Sequence, residues 1–392
     1  MNYHIMIDDK FIDGFIDDAE KVSPSSTNVY FVNGKKEDSR YVKNAIAKWI
    51  RFSDQEFLSI IKNATKNDKV IVHWYDLKTG QFLLENLQSE VPLYVALWGG
   101  EFYEDPYLYH MDWIHDKLTL DFVKKNNIVP DKYNRRPHLF FKKIWLKLNY
   151  KSKAKKQYEV KIKTIKRIDK LLLPKNNEYE VELIKKIYGL EKLDFADFNY
   201  DQNVDLASVN AIENTSVNKD ETVIQIGNSA TESNNHADAL VLLSKFKTNA
   251  IKLVLPMAYG NAKYSSFVKK HGAIFFKTKI EYVENFVPRS EYITKLRETD
   301  VCIMYHNRQQ AFGNCIPLLM LGKKLFLKKE NSLFVFFQSI GVTVFDANEI
   351  DTMSFDEFCK PLAENQKNQN KIILQGLFSE EKRLQYLSEI VN

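Results

Sequence analysis

Cysteine is nearly missing from this chain: three residues in 392, at Cys302, Cys315 and Cys359. So few, so scattered, they exclude a disulfide framework and metal-finger spacing, and they fit a reducing cytoplasm. Long apolar runs are missing too, none approaching the roughly 20 residues of a membrane-spanning helix. The opening MNYHIMIDDKF sets acids where the apolar part of a secretory leader belongs, so no leader is expected. There is no metal-ligand cluster, no D-x-D, no Walker loop, no G-x-S-x-G elbow and no repeat at a solenoid period. What is present is a globular composition, 44% hydrophobic and 13% aromatic with 26 Phe and 20 Tyr, which excludes a disordered chain. The length leaves room for two domains with a core each.

Short Val- and Ile-rich runs alternate with helical patterns. Tyr3–Ile7, Asn28–Val32, Lys69–His73 and Pro92–Trp98 read as strands, and Leu77–Leu87 reads as a helix. Helices are also predicted over Tyr41–Arg51 and over Ser53–Ala64, the second with a capping box at Ser53 and Glu56. Lys161–Ile168 and Ala273–Lys277 read as further strands. The polar stretch Asn199–Glu221 is the expected boundary. The domains are therefore expected at 1–200 and 222–392, with residues 201–221 as linker and the last helices free to pack back on the first domain. Such an alternation predicts parallel sheets covered on both faces, with ligands beyond the carboxyl ends of the strands.

Charge is uneven. From Lys142 to Lys170 twelve Lys or Arg stand against two acids, interleaved with Phe140, Phe141, Ile144, Trp145, Leu146, Leu148 and Tyr150. A helix there carries an apolar and aromatic face beside a basic one, the composition of an interfacial membrane helix. A solvated lysine face over core is the plainer alternative. Nucleic acid is a third, without an accompanying motif.

Candidate chemistry gathers at strand ends. Thr222–Leu243 (TVIQIGNSATESNNHADALVLL) is a strand, a small-residue turn at Gly227, Asn228 and Ser229, and a helix start. Free N–H groups and the helix dipole suit a phosphate there. The single glycine equally fits an ordinary strand-to-helix turn. A second turn near Arg308–Asn314 offers Arg308, whose planar fork matches phosphate oxygens. Asp8, His73 and Glu101 follow strands in the first half and are candidates for a general base. The alternatives are a helix cap for Asp8 and a hydrogen bond in a packed interior for His73.

Four ordered segments carry a resemblance: LWGGEFYE, IGNSATESNNHADAL, VLPMAYGNAKY, and NRQQAFGN with LLMLGKKLFLKKEN. The chain resembles the TDP-N-acetylfucosamine:lipid II N-acetylfucosaminyltransferase family, glycosyltransferase family 56. The resemblance implies an α/β fold of GT-B type, two Rossmann-like α/β/α domains facing a central cleft. It implies a metal-independent hexosyltransferase without cofactor, with a nucleotide-sugar donor, dTDP-linked, and a polyprenyl-diphosphate-linked saccharide acceptor. The implied setting is bacterial polysaccharide synthesis on the cytoplasmic face of the inner membrane, with Lys142–Lys170 on the anionic leaflet and no nucleic acid partner. Gly227, Asn228 and Ser229 are then expected on the diphosphate. Arg308, Gln309, Gln310 and Asn314 are expected around phosphate or sugar, and Met257 and Tyr259 near the nucleoside. Glu101 or His73 is expected to activate the acceptor hydroxyl. The family has Asp where this chain has Glu101, and it gives no support to Asp8. A non-catalytic membrane-surface protein binding a nucleotide-sugar or a glycan is the alternative of another class.

Overall fold

Burial on both faces is what the apolar runs demand, and two parallel sheets supply it. A computed structural model describes residues 1–23, 27–111, 113–128, 140–175, 177–200, 221–286 and 289–392. The chain divides into two compact units, Met1–Tyr107 with Pro137–Asn203 and Leu377–Asn392, and Leu108–Arg136 with Val204–Gly376.

The first unit begins β1 (Asn2–Met6), α1 (Ile12–Val22), β2 (Asn28–Asn33), β3 (Lys48–Ile50), α2 (Gln55–Asn63), β4 (Lys69–Val72), α3 (Leu77–Asn86), β5 (Leu93–Ala96) and α4 (Gly100–Tyr103). Helix α5 (Lys117–Asn126) follows but belongs to the second unit. The first unit resumes with α6 (Phe140–Ile165), β6 (Lys170–Leu173), α7 (Glu178–Tyr188) and β7 (Asp194–Asp197). Its strands form one parallel sheet in the order β3-β2-β1-β4-β5-β6-β7.

The second unit continues with β8 (Thr222–Ile226), α8 (His236–Leu243), β9 (Ile251–Pro256), α9 (Ala262–Phe275), β10 (Ile280–Val283), α10 (Arg289–Leu296), β11 (Val301–Met304), α11 (Phe312–Met320), β12 (Lys324–Leu327), α12 (Ser332–Ser339), β13 (Phe345–Asp346), α13 (Phe355–Cys359) and α14 (Glu364–Leu377). Its parallel sheet runs β10-β9-β8-β11-β12-β13. The last helix, α15 (Glu380–Val391), returns to the first unit. There Leu387, Ile390 and Val391 join Ile12, Phe15 and Ile16 in one core, and Arg383 Nε meets Asp18 Oδ2 at 2.7 Å.

The units depart from the expected boundary at 200 in one respect: the stretch from Leu108 packs with the second sheet. The amides of Leu118 and Thr119 donate to Asp238 at 2.8 and 3.1 Å, and Phe122 stacks on Phe267 with centroids 4.4 Å apart. Asp116 bonds Lys328 Nζ at 2.6 and 2.7 Å. The expected linker, 201–221, lies outside the described residues except for Glu221.

Three predicted elements are corrected. Tyr41–Ala47 is not helical, because its amides are taken by distant carboxylates. Tyr41 and Val42 donate to Asp8 at 3.0 and 2.9 Å, Lys43 and Asn44 to Asp13 at 2.8 and 3.0 Å, and Lys48–Ile50 then pairs with β2. Lys161–Ile168 is the end of α6 and a turn, and the strand starts at Lys170. Among its described side chains Ala154, Lys161, Thr164 and Ile165 are buried, a helical spacing that the branched residues had masked. Ala273–Phe275 likewise finishes α9, with the strand beginning at Ile280. The predicted box at Ser53 is also replaced: Asp54 is the N-cap of α2.

Helix α6 carries the basic stretch, whose side chains are described from Ser152 onward. Lys153, Lys155, Lys156 and Lys163 are exposed, whereas Lys161 is buried and lies 3.6 Å from Asp105. Gly80 lets α3 approach α6, since a Cβ at Gly80 lies 2.8 Å from the Thr164 side chain. Among the described residues no helix is long and apolar enough to cross a membrane.

Candidate functional site

In each sheet one pair of neighbouring strands marks where the strand order reverses, β1 beside β4 and β8 beside β11. The loops leaving the two strands part to opposite sides there, and this opens a crevice at their carboxyl ends.

In the second unit β8 runs into Gly227 at φ +66°, a left-handed conformation that a side chain resists. Space excludes a side chain as well, because a Cβ there lies 2.5 Å from both Asn234 Oδ1 and His236 Nε2. Asn234 ties the turn together. Its Oδ1 accepts from Asn228 N and lies 2.9 Å from His306 Nε2, so His306 carries its proton on that nitrogen. Burial holds the His306 pKa well below the ordinary histidine range, and neighbouring Arg308 adds to this. The Asn234 Nδ2 donates to Ser229 Oγ at 3.2 Å and to Thr231 O and Oγ1 at 3.1 and 2.8 Å.

Gln310 reaches the same turn from the β11 side. It donates to Asn228 Oδ1 and Thr231 Oγ1, each at 3.2 Å, and accepts from Ser233 Oγ at 2.6 Å. Asn331 fixes that second loop by donating to the carbonyls of His306 and Arg308 at 3.0 and 2.8 Å. From β9, Tyr259 exposes its ring, 57% accessible, while its hydroxyl accepts from Asn228 Nδ2 at 3.2 Å. Gly260 permits this: at φ +121° it abuts Ala230, and a Cβ lies 2.4 Å from that carbonyl carbon.

The structure therefore brings Gly227, Asn228, Ser229, Tyr259 and Gln310 into one polar shelf. Arg308 is buried beside it with Nη1 donating to the Gln309 carbonyl at 2.8 Å, and Asn314 lies half-buried in the first turn of α11. Met257 is not brought there. Its side chain is in the core, where Sδ accepts from Ser265 Oγ at 3.5 Å. Sequence reasoning missed Asn234, His306, Asn331 and Gly260. The first lies in the Ser-Asn-Asn run and the second directly after a strand, so a signal existed for both.

In the first unit Asp8 is a loop anchor, accepting from the amides of Arg40, Tyr41 and Val42 at 2.6, 3.0 and 2.9 Å, and this corrects its candidacy as a base. His73 follows the last residue of β4 and is fully buried. Its Nδ1 lies 2.6 Å from Tyr200 Oη and its Nε2 lies 3.3 Å from His4 Nδ1. Burial, then the neighbouring His4, holds it well below the ordinary histidine range. Glu101, 1% exposed, is the second residue of the short α4 behind Gly99 at φ +95°, and its Oε1 accepts from Trp98 N at 2.8 Å. Among the described residues no group of three His, Cys, Asp or Glu side chains is placed to hold a metal ion.

The family described as 4-alpha-L-fucosyltransferase glycosyl transferase group 56 matches residues 200–384. Over that stretch the chain resembles the group 56 glycosyltransferases. The stretch contains the whole polar shelf of the second unit but neither His73 nor Glu101. Solved structures match the entire chain of this glycosyltransferase. The OtsA apo structure is 9% identical, covers 100% of this chain and 98% of its own, and gives a TM-score of 0.57. Sucrose-phosphate synthase from Thermosynechococcus elongatus is 10% identical over 100% and 98%, with a TM-score of 0.56. Anabaena HepE in complex with UDP is 9% identical over 100% and 99%, with a TM-score of 0.56. At such identities the likeness speaks for the fold alone. The glycosyltransferase has the GT-B fold, with two Rossmann-like α/β/α units.

Proposed function

We propose that this glycosyltransferase moves an acetamido-deoxyhexose, such as N-acetylfucosamine, from a dTDP-linked donor to a polyprenyl-diphosphate-linked saccharide in bacterial polysaccharide synthesis. The observation that carries the donor half is the shelf at the β8/β11 reversal. A turn of small and polar residues, held rigid by the Asn234 amide, lies beside buried Arg308, whose planar fork suits a diphosphate. The exposed Tyr259 ring offers a flat face for the nucleoside. In support, HepE of the same fold holds UDP, and the family description names fucosyl transfer. A lipid-linked acceptor accords with the exposed lysines of α6, which would meet an anionic leaflet at about 1 kcal/mol per charge near the surface.

We assign the general base to Glu101. His73 has both ring nitrogens engaged, which leaves none for an acceptor hydroxyl. Glu101→Gln is expected to lower kcat by about 100-fold or more, with nucleotide binding unchanged. Full turnover by this variant removes Glu101 as base.

The donor is tested by a thermal-shift panel of dTDP, UDP, GDP and CDP, with and without magnesium. A nucleotide at one hundred times its Kd adds about 2.7 kcal/mol of stability. The expected result is stabilisation by dTDP above the others, equal in both buffers. Preference for UDP or GDP overturns the donor assignment, and silence from all four overturns the shelf as a nucleotide site.

A further inference from the structure

A buried chain of hydrogen bonds runs from the amino ends of β1 and β2 to the carboxyl end of β4, and its direction can be derived from either end. Asn28 spends its amide nitrogen on the Ser23 carbonyl, so its Oδ1 accepts from Asn2 and faces His4 Nε2 at 3.3 Å. That nitrogen must carry the hydrogen. His4 is fully buried and neutral, which leaves its Nδ1 as an acceptor for His73 Nε2–H. His73 Nδ1 is then an acceptor, and the Tyr200 hydroxyl at 2.6 Å donates to it. From the other end, an indole only donates, and Trp98 Nε1–H points to Tyr200 Oη at 3.2 Å. Both derivations meet at Tyr200 without conflict. Packing fixes the same atoms: Trp98 meets Tyr200 and Phe11 edge-on, and Phe11 stacks on Tyr200.

We propose that Tyr200 is a positioning residue for sugar transfer: its hydroxyl, aimed by the His4–His73 pair, holds the Trp98 indole and with it the Trp98–Glu101 turn. The carboxylate is coupled to this chain because the residue whose indole Tyr200 holds also donates its backbone N–H to Glu101 Oε1. A rigid carboxylate is what proton abstraction needs, since a displacement of about 1 Å costs on the order of 100-fold in rate. The proposal rests on Glu101 as the base, and its test separates the two.

Tyr200→Phe in the full-length protein keeps the ring and removes both hydrogen bonds. With 15N-labelled tryptophan, the Trp98 indole N–H resonance, identified by its loss in Trp98→Phe, is expected to move upfield. The kcat is expected to fall about ten- to 100-fold, with unchanged donor KM and unchanged stabilisation by nucleotide. In a Glu101→Gln background the same substitution should change kcat less than about twofold, as expected for groups acting as one unit. Full kcat in Tyr200→Phe, costs that multiply in the double variant, or an unmoved indole resonance each overturn the proposal. Loss of nucleotide stabilisation together with kcat overturns it too, since that reports general structural damage. Full turnover by Glu101→Gln beside a loss in Tyr200→Phe instead removes the base assignment and keeps Tyr200 as the holder of Trp98.

Discussion

Gly227→Ala should unfold the polar shelf and, on the donor reading proposed above, abolish stabilisation by any nucleotide. Two costs add at this position. The left-handed backbone at φ +66° disfavours alanine by about 1–2 kcal/mol. The new methyl, 2.5 Å from both Asn234 Oδ1 and His236 Nε2, must also push apart a side chain that holds the turn and a fully buried ring. Overpacking of that kind adds about 1–3 kcal/mol. Thermal unfolding and the dTDP response measure the two consequences, lost stability and lost binding. Wild-type behaviour in both would show that the turn has a slack the geometry denies. Asn234→Ala is the milder companion, since it removes the bond to Asn228 N without a clash.

Acid should weaken both units well before the carboxylates are protonated. Burial drives His4 down to about 4 and His236 down to about 3, against 6.5 for the free side chain. A lowered folded pKa means that the unfolded chain takes up protons first. The stabilisation is therefore complete above pH 6.5 and is lost as pH falls toward 4 for His4 and 3 for His236. Each shift corresponds to roughly 3 kcal/mol or more once fully expressed. His73 and His306 are lowered in the same direction by burial and nearby charge. Denaturant unfolding at pH 7 and pH 4.5 should show a loss of several kcal/mol, and His236→Gln should reduce the slope. A flat profile between those pH values would mean that the buried rings are protonated in the folded protein.

Much of this architecture was legible in the residues, because each parallel strand must be apolar on both faces. Val301–Met304 and Lys324–Leu327 are buried at every position, and such runs are hard to misread. The Gly227 turn was legible for a related reason, as a small-residue break between a strand and a helix. Tyr41–Ala47 was not, since its backbone hydrogens go to Asp8 and Asp13, partners 30 or so positions away that no local pattern reveals. Branched runs misled in the other direction at Lys161–Ile168, where the helix α6 overrides their preference for strand. At the site, residue types pointed to Asn228, Ser229 and Gln310. The organising amide of Asn234 became visible only when the loops from β8 and β11 were side by side. Met257 shows the converse: a residue placed by resemblance near a ligand lies in the core, while its neighbour Tyr259 carries the exposed ring.

The exchange of segments between the units has a consequence for synthesis on the ribosome. Helix α5 emerges more than a hundred residues before α8, whose Asp238 takes its first amides and beside which Phe122 finds Phe267. The first sheet in turn waits for α15, whose Leu387, Ile390 and Val391 complete its core and whose Val391 carbonyl accepts from Asn2 at 2.6 Å. Neither unit can reach its finished core as an independent N-terminal or C-terminal fragment. A nascent chain halted after β7 should remain protease-sensitive, and a fragment starting at Glu221 should expose the Tyr264 and Phe267 surface that α5 covers. The core of the first unit is therefore expected to close only once α15 has been made.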